Sequence, residues 1–209
     1  MPNVFFDNLK RLLEKLPGIG PRQASRFIWA LLDFEEKDRA KLAGLINELD
    51  KHLSRCGECF RVAPSEALTK ESFVCSFCNP ASKRDNSKIM VLERDSDLLN
   101  MERAGIYKGL YHILGGAIDP LNENPIVRER IKSLYARIKK PVAEIILALS
   151  PAKLGEFTTN YIIKVLEPMT SSASGGKIKI TRLGRGLSTG TDLEYADETT
   201  LRQALDNRK

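Results

Sequence analysis

Cys56-Gly57-Glu58-Cys59 and Cys75-Ser76-Phe77-Cys78 are the two stretches on which the fold of this chain turns. They are two C-x-x-C pairs with fifteen residues between them, and they hold all 4 cysteines of the sequence. Two thiolate pairs at such a spacing close a tetrahedron around one zinc ion at about 2.3 Å per bond. Four sulfur ligands leave no open position for water, so the expected role is structural, with Cys56, Cys59, Cys75 and Cys78 as the ligands. The alternatives are a redox pair or free core cysteines. His52, four residues before Cys56, is read as an ordinary surface histidine at a helix end. Residues 54–80 are too short and too polar to fold on an apolar core alone, and a metal supplies the missing stabilisation.

Working outward, the 209 residues accommodate one or two domains with appendages. Hydrophobic residues make up 42% and charged residues 29%, an ordinary globular composition. The net charge of +6 permits an acidic partner without requiring one. The N-terminus has no basic segment followed by a long apolar run, so it does not read as a secretory signal. The longest aliphatic run, Ile145 to Leu149, is far shorter than the roughly 20 residues that span a bilayer. A cytoplasmic, reducing location is expected, where paired cysteines hold metal and not disulfides.

Upstream of the cysteines, residues 1–53 read as helical. Phe5, Leu9, Leu12, Leu13 and Leu16 recur at helical spacing. A second helix is expected from Pro21 to Leu32. A third is expected from after Asp38 to Leu53, with Leu42, Leu45, Ile46, Leu49 and Leu53 on one face. Between the first two lies Leu16-Pro17-Gly18-Ile19-Gly20. Gly18 and Gly20 let a phosphate approach the backbone, Ile19 plugs into the seam between the helices, and Pro21 pre-sets the next helical turn. The free N–H groups of that helix and its dipole favour an anion there. Arg22 and Arg26, four apart, share a face near that end. This is a grip on phosphate without base reading, hence sequence-independent DNA binding through Gly18, Ile19, Gly20, Arg22 and Arg26. The bland alternative is a plain helical turn.

Downstream, residues 86–182 alternate strand and helix. Strands are expected over Lys88–Leu92, Leu110–Leu114, Ala143–Leu149 and Lys177–Arg182, and helices over Ser96–Arg103, Ile126–Ile138 and Phe157–Leu166. This rhythm implies a mostly parallel sheet covered by helices. Residues 171–176 read as a flexible connection. Residues 183–209 form a C-terminal segment with a Gly-rich turn and a helix over Thr199–Asn207. The fold class is thus α+β and multi-modular. Tyr107, Tyr111 and His112 read either as a surface loop used in assembly or DNA contact, or as aromatics packed against the sheet. Asp192, Glu194, Asp197 and Glu198 read either as a surface for a basic partner or as a solvated turn and helix N-terminus.

In order along the chain come the hairpin, the cysteine module, Val91-Leu92-Glu93, Gly109-Leu110-Tyr111-His112-Ile113-Leu114-Gly115-Gly116 and Ile118-Asp119-Pro120-Leu121. The tail reads Asp192-Leu193-Glu194-Tyr195-Ala196-Asp197-Glu198, with Thr200-Leu201. Together they resemble the bacterial recombination mediator family RecR over essentially the whole chain. The resemblance implies an N-terminal helix-hairpin-helix, a four-cysteine zinc finger and a Toprim domain. It also implies ring-like homo-oligomers, commonly tetramers, that encircle DNA. It implies the partners RecO and RecF, and a role in loading recombinase onto gapped or single-stranded DNA in repair. The chain departs from the family at Leu154, where a Glu is usual, at Ser150-Pro151 and at Ser188-Thr189-Gly190-Thr191. Its cysteine gap is also longer.

Catalytic Toprim domains carry a Glu after the first strand and an Asp-x-Asp after a later one, because Mg²⁺ takes hard oxygen ligands. Glu93 fits the first role. The later strand ends at Leu149-Ser150-Pro151, with no acid pair, and Asp95-Ser96-Asp97 lies on the wrong loop and reads as a helix cap. The expectation is therefore no catalysis. The alternative is a metal-dependent nuclease or topoisomerase-like enzyme, or a weak Mg²⁺ site or partner surface at Glu93 and Glu156.

Overall fold

The computed structural model describes residues 3–64, 73–122, 124–138, 142–170, 178–184, 186–187, 190 and 192–208. It divides into two compact units, residues 1–53 and 54–209.

In the first unit α1 spans Val4–Leu13, capped by the Asn3 side chain, which accepts from the amides of Phe5 and Phe6. Helix α2 spans Pro21–Asp33, with Pro at its first position. Beyond it lie α3, Glu36–Asn47, and α4, Leu49–His52. The third helix therefore begins three residues earlier than expected and is not continuous to Leu53. Acidic Glu36 and Asp38 sit in its first turn, where the dipole favours them. Among the described residues of this unit only Ala24 and Ile28 are buried. Leu42, Leu45, Ile46, Leu49 and Leu53 are all exposed and are divided between α3, α4 and the strand that follows. Phe5 is 75% exposed and Leu32 71%.

Two short strands, β1 (Leu53–Arg55), which starts at the last residue of the first unit, and β2 (Val62–Pro64), pair as a two-stranded sheet. Four parallel strands follow: β3 (Asp85–Leu92), β4 (Gly109–Ile113), β5 (Glu144–Ala148) and β6 (Lys179–Arg182). Their order is β4-β3-β5-β6, with Val91 between His112 and Leu147 in register. The connecting helices are α5 (Asp95–Ala104), α6 (Pro125–Arg137) and α7 (Lys153–Thr170). Gly105 ends α5 in the left-handed conformation, φ 69°. A turn at Leu193–Tyr195 and α8 (Glu198–Asp206) complete the chain. The expected connection at 171–176 falls outside the described residues.

Because strand side chains alternate, the sheet buries two faces. Ile89, Val91, Ile145 and Leu147 pack against Val127, Ile131 and Leu134 of α6 and Ile162 and Leu166 of α7. On the other face Met90, Leu92, Tyr111 and Ile113 meet Leu98 of α5 and Phe77 of the second C-x-x-C pair. The cysteine region is thus built into the second core. This settles the aromatic segment of β4 in favour of packing: Tyr111 and His112 are fully buried. Tyr111 donates to Glu102 at 2.6 Å and Tyr107 to the Leu110 carbonyl at 3.1 Å.

Candidate functional site

The four sulfurs converge, all within 4.8 Å of one another. Zinc–sulfur bonds of about 2.3 Å imply tetrahedral edges near 3.8 Å, and Cys59 and Cys75 stand 3.6 Å apart. That is far beyond a disulfide bond of about 2.05 Å. The local chain explains the convergence. The Phe60 amide returns to the Cys56 carbonyl at 2.9 Å, and the left-handed φ of 62° at Phe60 then turns the chain so that the Arg61 carbonyl accepts from the Cys56 amide at 3.0 Å. In the second pair the amides of Cys78 and Asn79 both reach the Cys75 carbonyl at 3.0 Å. The Cys75 amide donates to Cys56 Sγ at 3.4 Å, joining the two turns. Hydrogen bonds among the four sulfurs push the Cys56 thiol below the usual thiol range and the Cys59 thiol above it. Four converging, largely buried sulfurs suit a borderline-soft ion such as zinc. They are the one group of three or more metal-ligating side chains among the described residues. His52 ends α4 as an exposed side chain.

The cysteine turns also cover the edge of the parallel sheet. Strand β4 is an outer strand, and an open edge would leave its amides and carbonyls unpaired. Ile113 donates its amide to the Cys59 carbonyl at 2.9 Å. Arginines take the outward carbonyls: Arg84 that of Gly109 at 3.0 Å, Arg137 that of Tyr111 at 2.6 Å. Arg84 and Arg61 both stack on Phe77, 3.8 and 3.9 Å from its ring centre. Glu102 pairs with Arg84. Sequence reasoning had no signal for these arginines, which read only as charges between apolar positions.

The hairpin of the first unit turns at Gly18, φ 79°, with the Ile19 amide bonded to the Leu16 carbonyl at 3.1 Å. Ile19 is half-buried. Gly20 caps α2 without any side-chain hydrogen bond. A methyl group added at Gly18 or Gly20 would meet nothing within 4 Å, so the backbone faces open space. The Ala24 amide already bonds Gly20 O at 2.9 Å, which leaves the amides of Arg22 and Gln23 as the uncapped donors of the first turn. Arg22 and Arg26 are both exposed.

At the carboxyl ends of β3 and β5 lies the crevice where open α/β sheets take ligands. It is a cleft of about 450 Å³ lined by Glu93, Arg94, Asp97, Asn100, Ser150 and Leu183, among others. Glu93 is 8% exposed and accepts the Ser150 amide at 3.0 Å, while its own carbonyl accepts from Gly115. Gly155 packs so closely on the Ser150 carbonyl that a side chain there would collide with it. Glu156 pairs instead with Arg182 at 3.2 Å, tying α7 to β6. Of the Asp95-Ser96-Asp97 pair, Asp97 caps α5 by accepting from the Arg94 amide at 2.9 Å. Asp95 does not cap: it accepts from the Val62 amide at 2.8 Å and from Arg55 at 3.4 Å. In the tail Asp197 caps α8 through Thr200, and Glu198 pairs with Arg202 at 2.8 Å, as a helix N-terminus should.

A parallel sheet with helices on both faces, an acid at the end of its first strand and a four-cysteine cap on its edge defines a Toprim-domain protein. Residues 87–184 match the family model for the Toprim domain, and residues 186–209 match the model for the RecR C-terminal region. Recombination protein RecR of Dehalococcoides mccartyi is 39% identical over 198 residues, covering 94% of this chain and 90% of that protein. Recombination protein RecR of Staphylococcus aureus is 39% identical over 195 residues, 93% of this chain and 91% of that one. The chain belongs to the RecR family, and its role lies in DNA recombination and repair. No described helix is long and apolar enough to cross a membrane.

Proposed function

We propose that the protein is a recombination mediator that binds DNA without sequence preference and breaks no bond in it. The hairpin carries this reading. Gly18 and Gly20 present bare backbone to open space, the amides of Arg22 and Gln23 are uncapped, and exposed Arg22 and Arg26 flank them. Ile19 anchors the turn. Such a surface holds sugar-phosphate, whose contacts position a protein without reporting sequence.

The protein acts as an oligomer, a ring or clamp on DNA, with RecO and RecF as its partners in placing recombinase on gapped or single-stranded DNA. Support for assembly comes from the first unit itself. A fifty-three-residue unit whose described residues bury two side chains and expose Phe5, Trp29, Leu32 and Leu45 lacks enough core to stand alone. One structural zinc sits on Cys56, Cys59, Cys75 and Cys78; when bound it supplies folding energy and no chemistry. Glu93 and Glu156 act as internal ties. A nuclease or topoisomerase-like reaction needs further carboxylates, and Leu149-Ser150-Pro151 offers none.

Solution mass, measured alone and with DNA of increasing length, tests the reading. A multiple of the 23.4 kDa chain that persists on DNA is expected. A monomer that leaves DNA free at low ionic strength contradicts it.

A further inference from the structure

We infer that Arg137 controls how tightly the cysteine quartet keeps its zinc, by holding Cys78, the one thiolate of the four that is not fully buried. The inference rests on the zinc reading above. Arg137 is the last residue of α6 and is 8% exposed. Its three guanidinium nitrogens go to three separate pieces of the second unit. Nη1 donates to the Tyr111 carbonyl of β4 at 2.6 Å. Nη2 donates to Cys78 Sγ at 3.3 Å. Nε faces Glu58 of the first C-x-x-C pair at 3.5 Å.

A zinc ion with four thiolates carries net negative charge, and a desolvated guanidinium hydrogen-bonded to one of the sulfurs offsets it where water cannot. The planar fork matters, since one ammonium group cannot reach three partners fixed in different directions. Cys56, Cys59 and Cys75 are sealed, at most 1% exposed. Cys78 borders a cleft of about 410 Å³ that Glu58 and Arg137 also line. A competing ligand that strips the metal must begin on this side, and Arg137 occupies the approach. The coupling is reciprocal: if Arg137 favours the zinc-bound quartet, bound zinc equally favours Arg137 on β4.

The test is zinc release from the full chain to an excess of a chromogenic chelator, followed in wild type, Arg137→Gln, Arg137→Lys and Ile131→Val. Ile131 lies in the core cluster formed with α6 and α7, which contains no cysteine, and its variant reports general loosening. Loss of an outer partner of a metal ligand typically weakens binding about 10–100-fold. Release should quicken by about that factor in Arg137→Gln, by less in Arg137→Lys, and stay unchanged in Ile131→Val. Wild-type rates in both Arg137 variants, or equal acceleration in Ile131→Val, overturn the inference. Should Arg137→Gln not fold, Arg137→Lys carries the comparison. Zinc content of the wild type is measured first: a chain that binds none defeats the zinc reading itself, a failure distinct from unaltered release.

Discussion

The backbone amide of Val62 donates to the carboxylate of Asp95 at 2.8 Å. This bond fastens the strand between the two cysteine pairs to the first turn of α5. It consumes an acid that the sequence offers as half of an Asp-x-Asp pair. Its neighbour Asp97 is spent on the Arg94 amide. The two carboxylates are therefore structural, and each has a separate duty.

Asp95→Ala should lower stability by about 1 kcal/mol, since the bond is partly exposed to solvent. Asp97→Ala should cost about 1 kcal/mol as a lost cap. Urea unfolding of the two variants checks both values. Hydrogen exchange should distinguish them, with faster exchange at Val62 only in Asp95→Ala.

Gly18 and Gly20 should respond differently to alanine. Gly18 has φ 79°, so Gly18→Ala costs about 1 kcal/mol of backbone strain. Gly20 lies at φ −89°, open to any residue, and faces open space, so Gly20→Ala leaves the fold intact. Its methyl group should nonetheless push a phosphate away. Melting temperature and DNA affinity together check this: unchanged melting with weakened binding is the expected pair.

Glu93→Ala removes the acceptor of the Ser150 amide from a buried position and should destabilise by about 1–3 kcal/mol. With Mg²⁺ present, neither wild type nor variant should nick supercoiled DNA. Nicking by the wild type that disappears in the variant would point to an enzyme instead.

His112 should make the protein sensitive to acid. A carbonyl only accepts, so the contact of 2.8 Å to Arg130 O requires a proton on Nε2, and Nδ1 is buried without a partner among the described residues. Burial first, with the positive charges of Arg137 and Arg130, pushes the imidazole from 6.5 down to about 3. The unfolded chain takes up a proton below pH 6.5 that the folded chain refuses. Stability is thus complete above that pH and falls as pH drops toward 3, by at most about 1.4 kcal/mol per unit. Thiolate protonation adds to acid lability in every variant, so the measure is the difference between wild type and His112→Phe in urea unfolding from pH 7.5 to 5. The variant should show the shallower decline.

Much of this was legible because periodicity reports burial. Ala143 to Leu149 is apolar except for Glu144, with no alternation from Ile145 on, as a strand covered on both faces must be, and β5 lies between β3 and β6. The cysteine spacing announced a metal site because few other arrangements need two matched pairs. What stayed hidden was the attachment of that site. Arg137, Arg84 and Asp95 look like ordinary surface charges in a helical or loop pattern, and nothing local marks the partners that fold over them. The break between α3 and α4 was invisible for a related reason: the leucine pattern continues across Glu48 although the backbone bonds do not.

Titration of fluorescent oligonucleotides of unrelated sequence across a range of salt tests the central claim most directly. Wild-type protein loaded with zinc should bind all of them alike, with affinity falling steeply as salt rises. In Arg22→Ala with Arg26→Ala the salt slope should flatten by about 2. Absence of binding at low ionic strength, or a slope that the double variant leaves unchanged, contradicts the account.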